Sequence, residues 1–286
     1  MSRIDQFESV FRAAGRTVFG YEPIALGRVL VVTDLDADGA ARIGGQVGEF
    51  LDQHGLDANA HQRNVSGVEF STVKGLLDLV EAETPDLICT YRHLHSEAWH
   101  WPFSLGEYVD VLAQATTTPV LLLPHPEAGR IADHAMQDTG VVMAMTDHLA
   151  GDQRLVSFAA QMVDRDGRLL LTHVEDGHTF ERYMEVISKL PRIDTDEASQ
   201  DILQQLLEEP QQYIDSCRQV LAETRPDMTV EAVVKVGHRL AEYSQLIEEH
   251  EVDLLVLNTK DAEQFAMHGI AYPVVMELRQ IPLLLI

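Results

Sequence analysis

The chain has 286 residues, of which 45% are hydrophobic, and this length is sufficient for two domains with a core each. Its 46 acidic and 21 basic side chains give a formal charge of −25. Because phosphate groups are bound by clustered Lys and Arg, this charge argues against nucleic acid and anionic membranes as partners.

The acidic balance has two interpretations, which are an ordinary solvated surface and an adaptation to a salty cytoplasm that screens self-repulsion. No apolar run approaches the length of a bilayer-spanning helix, and the first residues do not have the pattern of a signal peptide. Cys89 falls in a predicted buried strand and Cys217 in a predicted helix, so no disulfide framework is indicated. We therefore expect a cytoplasmic protein that is not inserted into a membrane.

Residues 1–27 form an N-terminal extension before the first predicted strand. Ile4, Phe7, Val10 and Phe11 recur at helical spacing, which predicts a short amphipathic helix. We expect this helix to pack on its own protein, with docking to a partner as the alternative.

The first half of the chain, residues 28–124, alternates short apolar runs with segments of helical periodicity. Strands are predicted at 28–33, 58–65, 87–90 and 120–123, and helices at 38–54, 70–83 and 105–115. Such alternation predicts βαβ units and a parallel sheet. Residues 125–140 are polar and form the predicted linker.

The same pattern returns in the second half, residues 141–286. Gly106 and Gly269 each lie thirteen residues before a proline that opens an apolar strand, Pro119 and Pro282, so the repeat has a period of 163 residues. The fold class predicted is therefore α/β, with two related parallel-sheet domains in tandem.

The second half is longer because of a strand at 168–174, for which we find no counterpart in the first half, and an acidic helical insert at 176–227. The first half is accordingly predicted to be reduced by one strand–helix unit. Within the insert, Asp194 with Glu197 predicts a capped helix start, and Pro210 should break or kink the helical run.

Several segments together resemble the universal stress protein family. The second half carries Asp147 after its first strand, His173-Val174, Val236-Gly237, the run Asp253-Leu-Leu-Val-Leu, and Gly269 before Pro282-Leu-Leu-Leu-Ile; the first half carries Thr33-Asp34, Ser66-Gly67 and Gly106 before Pro119. The resemblance implies two Rossmann-like halves with strand order near 3-2-1-4-5, a role in the stress response, and a homodimer. It also implies that the last strands, Val120–Leu123 and Leu283–Ile286, pair across a two-fold axis, within or between chains.

Members of this family that bind ATP carry Gly-x-x-Gly, nine residues, and then Gly-Ser or Gly-Thr. Glycines let the backbone approach the phosphates, and a helix N-terminus offers its N–H groups. In the first half Tyr91 and Leu94 take the glycine places, and Gly106 is followed by Glu107. Ser104 with Glu107 instead forms a capping-box pattern that would place a carboxylate where a phosphate would bind.

The second half departs from the motif as well. Asn258 and Asp261 replace the two glycines, and Gly269 is followed by Ile270. We therefore expect neither half to bind ATP in the family's usual way, and no cofactor is predicted.

The loop after the strand at 87–90 holds His93, His95 and His100 together with the tryptophans Trp99 and Trp101. The three imidazoles are weak candidates for a metal site, because His-x-His followed by a His five residues later is not a strong ligand spacing. A packed or interface loop is the favoured interpretation.

Asp34 and Asp147 end the first strands of the two halves. They are predicted to cap the following helices, with contact to a ligand's base or ribose as the alternative. No catalytic motif is present, so the chain is not expected to be an enzyme. We expect a regulatory or scaffold protein that acts by protein–protein contacts. The alternative is a sensor of a small ligand or an adenine nucleotide that uses Asp34, Asp147, Asn258 and Gly269.

Overall fold

A computed structural model describes residues 18–56, 61–100, 104–127, 136–145, 152–190, 194–259 and 271–286. The predicted amphipathic helix around Ile4–Phe11 lies outside these residues. No helix in the described ranges is long and apolar enough to span a membrane.

The first half alternates four strands with three helices in its described residues. Its order is β1 (Val29–Val32), α1 (Ala37–Gln53), β2 (Gln62–Val65), α2 (Val73–Glu83), β3 (Leu87–Tyr91), a 3₁₀ turn (Glu97–His100), α3 (Glu107–Ala115) and β4 (Val120–Leu123). Strands β1, β3 and β4 are buried along their whole length, as expected for parallel strands covered by helices on both faces.

The second half repeats this alternation with one more strand. Its described order is β5 (Val141–Met145), α4 (Gln153–Gln161), β6 (Arg168–Asp176), α5 (Gly177–Ile187), α6 (Thr195–Thr224), β7 (Thr229–Gly237), α7 (Arg239–His250), β8 (Leu254–Leu257), α8 (Ala271–Glu277) and β9 (Leu283–Leu285). The predicted α/β fold class is confirmed.

All nine described strands belong to one sheet, in the order β2-β1-β3-β4-β9-β8-β5-β6-β7. The second half has the predicted order 3-2-1-4-5, and the first half has the same order without its outermost strand. Strand β2 lies beside β1 just as β6 lies beside β5, so the strand at 168–174 does have a counterpart. That part of the sequence prediction was wrong, because the pattern within a strand does not reveal which strand is its neighbour.

The two halves meet where β4 and β9 pair antiparallel, with Leu121 opposite Leu284. This is the pairing of last strands that the sequence predicts, and it forms within the chain. Arg92, which follows β3, also crosses the junction: its Nη2 donates to the carbonyl oxygens of Val275 at 2.6 Å and Leu278 at 2.5 Å, at the C-terminal end of α8. This buried guanidinium therefore caps a helix of the other half.

Helix α6 runs for 30 residues through Pro210 without ending there. The predicted break was wrong, because Pro210 is the first residue of the helix to be buried, and packing from there onwards compensates for one missing backbone hydrogen bond. The predicted N-cap at Asp194 is confirmed, since its side chain accepts from the N–H groups of Asp196 and Glu197.

An extended segment before β1, residues 18–27, packs on the second half. The backbone N–H of Ile24 donates to Gln161 Oε1 at 2.6 Å, and Gln161 Nε2 donates back to the carbonyl of Ile24 at 3.0 Å. Phe19 is buried with its ring 6.4 Å from that of Tyr213. We call this segment the strap, because it ties the start of the first half to α4 and α6.

Candidate functional site

A cleft in the first half lies where β1, β3 and β4 end. The carboxyl ends of parallel strands share one edge of a sheet, and ligands of open α/β folds bind there, where the strand order reverses. At this edge Asp34 follows β1, Tyr91 ends β3 and His125 follows β4. The structure thus brings the predicted site residue Asp34 together with two residues that sequence analysis did not assign to a site.

Both carboxylate oxygens of Asp34 are engaged. The Tyr91 hydroxyl donates to Oδ1, and the backbone N–H of His95 donates to Oδ2 at 2.7 Å. The Tyr91 oxygen in turn accepts from the Asp34 N–H at 3.3 Å. Helix α1 is capped instead by Asp36, whose side chain accepts from the Gly39 N–H. The predicted capping role of Asp34 was wrong, and its carboxylate fixes the loop after β3.

Burial raises the pKa of the Tyr91 phenol, and the neighbouring Asp34 carboxylate raises it further. The phenol therefore keeps its proton, which is the proton shared with Asp34. A charge-assisted hydrogen bond of this kind is stronger than one between neutral groups. Tyr91 thus places a ring at the end of β3 and a fixed hydrogen bond to Asp34 in the cleft.

The loop also covers the start of α3. His93 is buried, has a positive φ of 61°, and its N–H donates to the carbonyl of Leu105 at 3.0 Å. Gly106 is the N-cap of α3 with φ 86°, and a Cβ there would lie only 2.8 Å from the His93 Cα. No side chain among the described residues caps this helix, so the predicted Ser104–Glu107 capping box was wrong. The close approach of the His93 backbone requires the glycine.

The three histidines of the loop lie in different surroundings. His93 is buried under the loop, where burial first and Arg92 second lower the pKa of its imidazole. His95 packs on the rings of Phe70 and Tyr108, at centroid distances of 4.8 and 5.5 Å. His100 is exposed in the 3₁₀ turn. In the ranges that the structure describes, no group of three or more His, Cys, Asp or Glu side chains could hold a metal ion.

A cavity of about 240 Å³ opens beside Asp34 and Tyr91. Carboxylate, imidazole and hydroxyl groups surround it, and none of the described lining residues is Lys or Arg: Asp34, Leu35, Tyr91, His95, Ser96, Glu97, His125, Pro126 and Glu127. Burial lowers the pKa of His125 to about 4 against the opposing effect of Asp34, with smaller lowering effects from His93 and His100. His125 is therefore neutral at pH 7 and offers an anion no positive charge.

The corresponding edge of the second half is only partly described. Asp147 and Gly269, two of the predicted site residues, lie outside the described residues. Asn258 is described, and its Nδ2 donates to Asp152 Oδ2. Asp152 is the N-cap of α4 and also accepts from the Leu155 N–H at 3.0 Å. Asn258 thus supports a helix start.

Sequence analysis missed His125 and Arg92 for different reasons. His125 falls at the first position of the predicted linker, although its place directly after a buried strand was a signal for the cleft. Arg92 lies in the predicted histidine loop, but its partners are carbonyls 183 and 186 residues away in sequence. The sequence around Arg92 contains no pattern that predicts such a contact.

No family model and no curated protein matches the chain. Among solved structures, a universal stress protein from Archaeoglobus fulgidus DSM 4304 is similar, with 12% identity, a TM-score of 0.49, and coverage of 90% of this chain and 85% of that one.

Two structures from Pseudomonas aeruginosa are also similar, each with 14% identity and coverage of 90% of this chain and 81% of the other. They are a putative universal stress protein of UCBPP-PA14, with a TM-score of 0.45, and the functionally unknown protein PA1789 of PAO1, with a TM-score of 0.44. The neighbours thus include universal stress proteins, which is the family that the sequence resembles.

Proposed function

We propose that this chain is a non-enzymatic, universal stress protein-like regulatory or scaffold protein that acts by protein–protein contacts and does not bind ATP through the usual glycine motif. The observation that carries the proposal is the packing of His93 against Gly106 at the start of α3. The backbone of the loop after β3 lies against the start of α3, where a triphosphate bound through the usual glycine motif would need space.

Electrostatics support the same proposal. Phosphate sites at helix N-termini combine N–H groups with positive charge. Here Glu107 stands in the first turn of α3, and Glu97 and Glu127 lie at the rim of the cavity. Because the whole chain carries −25, a nucleotide triphosphate would be repelled at long range as well.

Calorimetric titration with millimolar Mg-ATP tests this proposal. We expect no saturable heat for the full-length protein. Saturable heat would overturn it, and the same titration of Asp34→Ala and Asp147→Ala would then show which half binds. ADP and adenosine serve as matched ligands, since they separate binding of the phosphates from binding of the base.

We also propose a cytoplasmic homodimer with a role in the stress response. Cys89 and Cys217 are both buried and free, which fits a reducing compartment. The last strands are already paired within the chain, so the dimer must use another surface. Sedimentation velocity should give the mass of two chains, and a monomer at micromolar concentration would contradict the dimer.

The alternative function is a small-ligand sensor, and the cavity beside Asp34 is the observation that favours it. Its lining of carboxylates and neutral imidazole suits a neutral or cationic polar ligand of up to about 240 Å³. A thermal-shift screen that compares adenosine, small amines and ATP tests this alternative. A concentration-dependent rise in Tm with adenosine or an amine, abolished by His125→Leu, would favour the sensor over the scaffold.

A further inference from the structure

The two edge strands of the described sheet differ in length and chemistry. Strand β2 has four residues and begins with three polar side chains, Gln62, Arg63 and Asn64. Strand β7, at the other edge, runs for nine residues and carries four valines and an alanine. Edge strands of natural proteins are usually short, charged or covered, because an open edge can pair with another chain. Strand β2 has such protection, whereas β7 has the length and the apolar content of a strand that pairs.

Alternate residues of β7 direct their backbone groups away from the sheet. The N–H of Thr229 donates to the carbonyl of Gly167, just before β6, at 2.9 Å, so the odd-numbered residues of β7 face β6. The carbonyl of Val230 faces the other way and accepts from Arg218 Nε at 3.2 Å. In the described part of the chain, no strand lies on that side of β7. The residues with outward backbone groups are Val230, Ala232, Val234 and Val236.

The charged residues of β7 are placed symmetrically about its middle. Glu231 and Lys235 lie on one face of the strand, each two residues from Val233. A two-fold axis through Val233 would pair β7 antiparallel with its own copy over the whole length of the strand. Glu231 of each copy would then lie opposite Lys235 of the other. Opposite charges directly across an antiparallel pair stabilise it, so the strand is complementary to itself.

The outward backbone groups match in the same register. Val230 of one copy lies opposite Val236 of the other, and Ala232 lies opposite Val234. Because all four residues face outwards, they form the hydrogen-bonded pairs of an antiparallel ladder. Val233 directs its own backbone groups towards β6, so its two copies form a non-hydrogen-bonded pair with Cα atoms about 4.5 Å apart.

The charged side chains of β7 remain accessible to a second partner. Glu231 lies 3.4 Å from Arg168, and Lys235 is paired with Glu242. The side chains of Glu231 and Lys235 are nevertheless 41% and 34% exposed. Ion pairs at this exposure contribute little to stability, so they do not hold the two charges away from the edge.

We propose that β7 of one chain pairs antiparallel with β7 of a second copy, about a two-fold axis through Val233. The pairing rests on the homodimer proposed above and names its surface, since β4 and β9 are already paired within the chain. It joins the two sheets into one continuous sheet. Arg218 releases the carbonyl of Val230 on pairing and keeps Asp215, 2.9 Å away, as its partner.

Disulfide formation in the full-length variant Val233→Cys tests the register. Under mild oxidation we expect a covalent dimer, since opposite residues of a non-hydrogen-bonded pair lie within disulfide range. The native Cys89 and Cys217 are buried and do not compete. In the matched control Thr229→Cys, the two thiols lie at opposite ends of the paired strands, about 27 Å apart, and should not crosslink.

Charge reversal measured by sedimentation velocity tests the facing charges. Lys235→Glu places two carboxylates opposite each other twice in the dimer, and it should raise the Kd of the dimer at least about tenfold. The exchange Glu231→Lys/Lys235→Glu restores opposite charges and should return the Kd to within about threefold of the wild type. Arg63→Glu makes the same change of net charge at the edge strand β2, and it should leave the Kd within about threefold.

The outcomes separate this pairing from the homodimer itself. A wild type that stays monomeric at micromolar concentration overturns both. A dimeric wild type overturns the pairing alone if Val233→Cys forms no more crosslink than Thr229→Cys, or if the charge exchange dimerises as weakly as Lys235→Glu. Thermal melts check the fold of each variant, and Val233→Cys changes no charged residue, so it decides the pairing even if a charge variant unfolds. No nucleotide is used, so the result is independent of the calorimetric titration.

Discussion

At the residue scale, the first-half cleft is organised around the hydrogen bonds of the Asp34 carboxylate. Tyr91 donates to Asp34, and His95 holds the second oxygen of the same carboxylate through its N–H. The Tyr91 hydroxyl and the His95 backbone N–H together hold the two carboxylate oxygens in fixed positions.

Tyr91→Phe removes the hydroxyl and leaves the Asp34 carboxylate without one of its two donors. We expect the free energy of unfolding to fall by about 1–3 kcal/mol, which is typical when a partly buried charged group loses a partner. Urea denaturation at pH 7 measures the change. Tyr183→Phe removes an exposed hydroxyl and should change the stability by less than about 0.5 kcal/mol. Equal effects of the two substitutions would contradict a structural role for the Tyr91–Asp34 bond.

His125, which lies in the same cleft, makes the free energy of unfolding depend on pH. Burial lowers its pKa from 6.5 to about 4, so between these values the unfolded chain binds a proton that the folded chain does not. The contribution of neutral His125 to the free energy of unfolding is therefore complete above pH 6.5 and is lost as the pH falls towards 4. In His125→Gln, the loss of unfolding free energy between pH 7 and pH 5 should be smaller by about 1 kcal/mol, after allowance for partial exposure. His178→Gln, at a histidine whose side chain is 78% exposed, is the control for replacing a histidine by glutamine elsewhere in the chain.

At the element scale, the strap and α6 show how packing overrides local sequence signals. The strap has no regular secondary structure, yet Gln161 satisfies both backbone groups of Ile24, as a neighbouring strand would. Helix α6 continues through Pro210 because its second half is buried against the sheet. Neither outcome follows from the residues of the segment itself.

Gln161→Leu keeps the side-chain size but leaves the N–H and the carbonyl of Ile24 without these partners. We expect a loss of about 1–3 kcal/mol in unfolding free energy, and faster hydrogen exchange in residues 18–27. Gln211→Leu, at a glutamine whose hydrogen bond is exposed, is the matched control and should be near neutral. If residues 18–27 exchange at wild-type rates in Gln161→Leu, these hydrogen bonds do not hold the strap.

At the scale of the whole molecule, the two halves share one sheet. Among the described residues, the contacts that cross between them include the antiparallel pairing of β4 with β9, the hydrogen bonds of Arg92 to the end of α8, and the strap on α4. Because each contact buries groups of both halves, neither half can unfold without exposing part of the other. The molecule should therefore behave as one cooperative unit.

Differential scanning calorimetry should show a single transition whose calorimetric and van't Hoff enthalpies agree. Arg92→Met leaves two carbonyls of α8 without their donor and should lower the Tm of that transition without splitting it. Arg218→Met, at a half-exposed arginine of α6, should lower the Tm less. Two separate transitions in the wild-type protein would show that the halves unfold independently.

The sequence alone predicted a large part of the fold. Apolar runs such as Leu87–Thr90 predicted β1, β3, β4 and β9 to within one residue at each end, because strands that are buried on both faces are continuous apolar segments. The spacing from Gly106 to Pro119 and from Gly269 to Pro282 predicted two related halves. The edge strand β2, with the sequence Gln-Arg-Asn-Val, lacks such a run, and it was not recognised as the counterpart of the strand at 168–174.

The elements and their repetition can be derived from the residues alone, because each element follows from the periodicity of residues that are close in the chain. The bond of Tyr91 to Asp34, the capping of α8 by Arg92 and the pairing of β4 with β9 inside the chain are known only from the folded molecule. These contacts join residues between 57 and 186 positions apart. Their formation depends on which strand ends share an edge of the sheet, and that is a property of the assembled sheet.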